Sequence, residues 1–157
     1  MGMTNAGAMI EEVFLTRNNV KISTKGSHVI LHAAEKEAAR IGVPECIAVV
    51  DEGGHLLAFS RMDGARIGSI GIAMTKAASA AIRKRPTAEE GGGDVLAAVR
   101  LALAAGSGKL TGIGGGLPIL VDGQVVGGIG ASSGSSDEDL QVCRAGIAAF
   151  LGEEPAR

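Results

Sequence analysis

The sequence predicts an α/β protein of the α+β kind, an antiparallel sheet built from two β-hairpins with flanking helices in the order αββααββα. Three observations predict it. Two pairs of short runs rich in strand-forming residues are joined by turn residues, several other stretches repeat their apolar residues at helical spacing, and no strand-helix-strand crossover of a parallel sheet is in view. The chain has 157 residues and is 46 % hydrophobic but only 2 % aromatic, with Phe14, Phe59 and Phe150 and no Trp or Tyr. Its core must therefore be made of Ala, Val, Ile and Leu, with 25 Gly residues setting turns and close contacts.

From Ser23 the spacing of Val29, Ile30, Ala33, Ala34, Ala38 and Ile41 predicts a helix over 23–41. Ser23 or Thr24 is its N-cap, and Gly42-Val43-Pro44 is its stop. "CIAVVD" and "HLLAFSRM" read as two strands joined at "EGG", whose glycines supply positive φ. Ile67, Ile70, Met74, Ala77, Ala78 and Ala81 predict a second helix over 66–84, ended by Pro86. A Gly-rich break at 91–93 leads into a shorter helix over 94–105. "LPILVDGQVVGGIGAS" is a second hairpin around Asp122-Gly123, the dipeptide favoured in type I′ turns. Ser135 and Glu138 form a capping box ahead of "DLQVCRAGIAAFLG", with Gly152 as the C-terminal stop. The expected division is a loosely ordered segment over 1–18, a single domain over 19–152 and a tail over 153–157.

Composition narrows the partners. The net charge is −2, which offers no basic footprint for nucleic acid, and there is no aromatic platform for stacking bases. No signal-peptide pattern opens the chain and no apolar run reaches a membrane span, so a cytoplasmic protein is expected. A mean hydropathy of +0.28 and many small apolar residues are hard to hide in one small domain, so a homo-oligomer is expected. Cys46 and Cys143 have no metal-type spacing and read as two buried thiols.

Several motifs fail on inspection. "GSGKLT" lacks the Gly and the Ser or Thr that a phosphate loop requires, and "GIGGGL" and "GGIGAS" fall at a hairpin and not between a strand and its crossover helix. Gly114 to Gly116 would still let a ligand lie against bare backbone. His28 and His32 share a helix face but lack the Glu of a zinc-protease motif. They read as solvent-exposed or structural residues, as a source of one haem-iron ligand, or as part of another metal site. His55 reads as a surface turn residue. The three histidines have no local partner signature, so no catalytic nucleophile is identified.

The stretch "RMDGARIGSI" is more loaded. Arg61 leaves a strand, Gly64 relaxes the backbone, and the following helix offers free N–H groups. Asp63 either orients Arg61 in a structural clasp or caps the helix. Alternatively the turn is an anion-binding lip in which Arg61 offers a fork to a carboxylate or propionate. On the second helix, Thr75 and Lys76 either belong to a solvated face or look into a pocket floored by the sheet.

The ordered blocks "GVPECIAVVDEGGHLLAFSRMDGA", "SIGIAMTKAASA", "RPT", "GGLPILVDGQVVGGIGASSGSSDED" and "AGIAAF" resemble the GlcG/HbpS-type, haem-degrading domain family. That family is related to the C-terminal domain of PduO-type cobalamin adenosyltransferases. The resemblance spans residues 20 to 151 and implies a profilin-like fold and a homo-oligomer. It also implies that Arg61, Asp63, Thr75, Lys76, Gly115 and Gly116 are the ligand-binding set, and that His28 lies on a helix where some haem-binding relatives place a histidine. The expected function is that of a haem- or tetrapyrrole-binding oligomer able to degrade haem. Its mechanism would be propionate capture by Arg61 or Lys76 and iron ligation by His28 or His32. The alternative is a small catabolic enzyme, of hydrolase, deaminase or isomerase type, acting on a carboxylated metabolite. There Lys76 or Asp63 would move a proton and Arg61 would hold the carboxylate. A non-enzymatic accessory oligomer is the third reading.

Overall fold

The computed structural model describes residues 19–88, 95–106 and 108–153. The expected loose segment 1–18, the Gly-rich break at 91–93 and tail residues 154–157 lie outside the described residues. The elements run α1 (Thr24–Ile41), β1 (Cys46–Asp51), β2 (Leu56–Arg61), α2 (Ser69–Arg83), α3 (Val95–Ala105), β3 (Gly116–Val121), β4 (Gln124–Ser132) and α4 (Ser136–Leu151). This is the predicted order. The strands form one antiparallel sheet in the order β2-β1-β4-β3, so the second strand pair is laid beside the first through β1 and β4.

Alternation along β1 divides the core between the two sheet faces. Ile47 and Val49 pack with Ile30, Leu31, Ala34 and Ala38 of α1 and with Val142 and Cys143 of α4. Cys46, Ala48 and Val50 meet Ala73, Ala77 and Ala81 of α2 on the other side. Both cysteines are free and buried, as expected.

α2 sits unusually close to β4. A side chain at Gly128 would run into the Ala77 carbonyl, and one at Gly130 into the Ala73 carbonyl. The "GGIGAS" glycines thus make room for a helix backbone.

Caps follow the local chemistry. The Ser23 hydroxyl accepts from the Gly26 N–H at 3.1 Å, Ser135 and Glu138 form the capping box, and Gly42 and Gly152 end α1 and α4 in the left-handed conformation. Asp122 and Gly123 have φ of 50° and 75°, the signs a type I′ turn requires.

The second helix departs from expectation at its start. It begins at Ser69, not at residue 66, because Arg66 to Ser69 form turns in which Ser69 and Ile70 bond back only three residues. Ile67, counted in its apolar stripe, lies before the helix and is 74 % exposed. Its N-cap is Gly68, with no side-chain cap, so Asp63 does not cap it.

Candidate functional site

One end of the sheet collects most of the predicted site residues. Cys46 pairs with both Arg61 and Ser132, and Gly116 pairs with Gly130, so the start of β1, the end of β2, the start of β3 and the end of β4 meet there. α2 and α4 both set out from this pole.

At its centre is a buried ionic cluster. The Lys76 ammonium donates to Asp139 Oδ2 at 2.6 Å and to the Ala131 carbonyl at 2.9 Å, with both side chains 3 % exposed. The Gly134 N–H donates to Asp139 Oδ1 at 3.1 Å. Glu45, just ahead of β1, is 0 % exposed; neither of its carboxyl oxygens makes a hydrogen bond of ordinary geometry, while the Asp139 carboxylate and the Gly134 N–H lie close enough to act on it. Burial first, and then the charge of neighbouring Asp139, push its pKa up to about 8.

This arrangement corrects several expectations. Lys76 is neither on a solvated face nor open to a propionate, because its charge is enclosed against Asp139. The missing side chain of Gly115 (φ 113°) leaves space for that pair: a Cβ there would lie 2.7 Å from Lys76 Nζ and 2.7 Å from Asp139 Cβ. At Gly116 a Cβ would lie 2.6 Å from the Lys76 carbonyl oxygen. The bare backbone at 115 and 116 therefore faces α2 and the ion pair where a ligand surface was expected. Thr75 donates to the Gly108 carbonyl at 3.3 Å. One turn on, the Ser79 hydroxyl donates to the Thr111 carbonyl and accepts from the Thr111 N–H. These two hydroxyls clamp the segment ahead of β3 onto α2.

Arg61 and Asp63 are both exposed at the same pole. Among the described residues no ion pair or hydrogen bond joins them, so the expected clasp is not formed. The turn is instead held by the Met62 N–H on the Glu45 carbonyl and the Ala65 N–H on the Met62 carbonyl, with Gly64 at φ 91°. Beside Arg61, the Ser60 hydroxyl donates to Glu35 of α1, which ties the end of β2 to that helix.

The histidines lie apart from this pole cluster. His28 and His32 are exposed on α1, their ring centroids 6.1 Å apart. Lys25, Val29, His32 and Lys36 follow one another at steps of three or four residues with His28 alongside, so all five share one helix face. All five are exposed, while Ile30, Leu31, Ala34 and Ala38 bury the opposite face. A groove of about 410 Å³ between α1 and α4 reaches this face at Lys36. Ala33, Ala145 and Ala149 line it, along with Glu37 and Arg40. Sequence reasoning found the histidines but missed Lys25 and Lys36, although the same periodicity places them. It also missed Glu45 and Asp139, whose acidic side chains flank a strand and open a helix as ordinary surface carboxylates do.

The set on α1 fits a haem. It joins imidazole nitrogens for iron, exposed Val29 and a small-residue groove for the ring, and two ammonium groups for propionates. The helix rise puts Lys25 and Lys36 about 16 Å apart along the axis. The pole does not offer such a set: among the described residues its buried cation Lys76 is paired with Asp139, and the histidines lie elsewhere. Among the described residues no cluster of three or more His, Cys, Asp or Glu is placed to hold a metal ion by itself. No helix among them is long and apolar enough to cross a membrane.

The chain is 36 % identical over 116 residues to Protein GlcG of Escherichia coli K12, covering 74 % of this chain and 84 % of that one. It is 31 % identical over 135 residues to the corrinoid adenosyltransferase PduO of Salmonella typhimurium, covering 83 % of this chain but only 39 % of that protein. Among solved structures, HbpS superposes with a TM-score of 0.72 at 32 % identity, over 88 % of this chain and 95 % of that one. A PduOC:heme complex superposes with a TM-score of 0.70 at 27 % identity, over 83 % and 95 %. The family model described as haem degrading protein HbpS-like matches residues 22–148, and the chain belongs to this HbpS-like family.

Proposed function

We propose that this protein binds haem, or a closely related tetrapyrrole, against the exposed face of α1. The observation that carries the reading is the pair His28 and His32, which project from the helix without contributing to the core and are flanked by Lys25, Val29 and Lys36. A PduOC:heme complex of the same fold and the HbpS-like family match support it. His28 or His32 would hold the iron. Lys25 and Lys36 would meet the propionates. Val29 and the alanines of the α1–α4 groove would lie against the ring. Bound haem supplies a redox-active iron and a conjugated ring, and it is the molecule that a haem-degrading activity would consume.

A ligand on one helix face needs cover, and we infer that a second copy of the chain supplies it in a homo-oligomer. Exposed Ile67, Ile72, Leu96, Leu103 and Ile113 support self-association of the chain, with α2 on the sheet face opposite α1. The enzyme reading centred on Lys76 has less support, since that side chain is 3 % exposed and paired.

Spectrophotometric titration with hemin tests the proposal. Wild-type protein should bind saturably with a shifted Soret band, and His28→Ala/His32→Ala should weaken binding at least about tenfold, equivalent to about 1.4 kcal/mol. Non-saturating uptake that is the same in both proteins would refute it.

A further inference from the structure

We propose that the turn between β4 and α4, Ser132 to Ser135, is a proton-controlled latch. It stays closed while Glu45 carries a proton and opens when that proton is lost, exposing the Lys76–Asp139 pair at the pole.

Charge balance is the first argument. Lys76 brings one positive charge to the cluster and Asp139 one negative, and the hydrogen bonds of Lys76 go to Asp139 and the Ala131 carbonyl. A neutral Glu45 completes a balanced interior. An ionised Glu45 adds a second buried carboxylate beside Asp139 with no cation of its own, and the Gly134 N–H that acts on it is already given to Asp139, an arrangement that a protein interior accommodates poorly. The charges that reach Glu45 are those of Asp139 on α4 and Lys76 on α2. Also at the pole are Glu138, whose carboxylate is committed to the Ser135 N–H, and the thiols of Cys143 and Cys46, both pushed up by burial. Arg61 acts on Cys46 from the end of β2.

The second argument is mechanical. Gly134 is surrounded by carboxylates: a Cβ built there would lie 2.7 Å from Glu45 Oε1, 3.0 Å from Glu138 Oε2 and 3.1 Å from Asp139 Oδ1. Its neighbour Ser133 has φ 130°, a backbone state that costs a non-glycine residue energy and persists only when its surroundings enforce it. The Ser133 hydroxyl accepts from the Arg66 N–H at 3.0 Å, and the Gly134 N–H reaches Asp139. Between the β1 pairing of Ser132 and the capping box of Ser135, this strained pair of residues is held by these two bonds, and it is the yielding part of the wall around Glu45. Its release would also free the Arg66 N–H, one of the ties on the chain entering α2.

The sign follows from the raised carboxyl. Its pKa of about 8 lies above the usual 4.5, so the folded state holds the proton more tightly than the unfolded chain. The contribution is therefore present in full below pH 4.5 and is lost as pH rises through about 8.

Hydrogen-exchange mass spectrometry of the full-length protein from pH 6.5 to 9.5, corrected for intrinsic exchange, tests the latch. Peptides covering 131–139 should lose protection at least about tenfold with a midpoint near 8, while those of α1 stay protected. Glu45→Gln, which mimics the protonated acid, should abolish the transition. Unchanged protection in wild type, the same midpoint in Glu45→Gln, or simultaneous loss throughout the molecule would overturn the proposal. Should Glu45→Gln fail to fold, carboxyl carbon NMR of wild type decides. Titration of Glu45 near 8 is expected, and titration in the ordinary carboxylate range would overturn the latch.

Discussion

Lys76 sits on α2 one residue before Ala77 and three after Ala73, and its ammonium ends against a carboxylate 63 positions further along the chain. Removing one partner of a buried pair leaves the other charge uncompensated. Lys76→Met should therefore cost about 3–5 kcal/mol of unfolding free energy, read from urea denaturation. A loss below about 1 kcal/mol would mean that the pair adds little to the fold. Helical spacing marks Lys76 as a position worth attention but does not decide whether it is wet or buried. That depends on Asp139, Ala131 and Gly115, brought in by α4, β4 and the approach to β3, and no local pattern encodes their convergence. His28 and His32 were legible because exposure and mutual proximity on a helix follow from spacing alone.

The fit of α2 on the sheet depends on small residues meeting small residues. Ala73, Ala77 and Ala81 are spaced one turn apart and face β1 and β4, where Gly128 and Gly130 leave the helix carbonyls unobstructed. Gly130→Ala should push α2 off the sheet and cost about 1–3 kcal/mol, whereas a surface glycine such as Gly71, with open space around it, should tolerate the same change. Loss of the α4 cap in Ser135→Ala should cost about 1 kcal/mol. Chemical denaturation of the three variants compares them directly. The hairpins, the caps of α1 and α4 and the Asp122-Gly123 turn were all readable, since each is written in a few adjacent residues. The start of α2 was not, because the turns from Arg66 to Ser69 continue the helical spacing of apolar residues without its hydrogen bonds. Spacing leaves Thr75 open between a solvated face and a pocket for a related reason: its partner, the Gly108 carbonyl, lies on a segment with no regular pattern.

In the whole molecule the buried ionic cluster and the histidine face are separate places, one enclosed at the pole of the sheet and the other open on the back of α1. The proposal of haem binding concerns the second: the solved haem complex of a relative at 27 % identity supports the ligand, and the histidine pair alone supports the place. A ligand that binds only the native state raises apparent stability by mass action, about 2.7 kcal/mol at a free concentration a hundredfold above Kd. Hemin should accordingly shift the unfolding of wild type and leave His28→Ala/His32→Ala nearly unmoved. The most direct test of where the ring lies is backbone amide NMR of the protein titrated with gallium protoporphyrin, a diamagnetic stand-in for hemin. Shifts concentrated in residues 25–36 and along the adjoining α1–α4 groove are expected. Shifts centred on 114–116 or the turn after β2, with α1 unperturbed, would contradict the account.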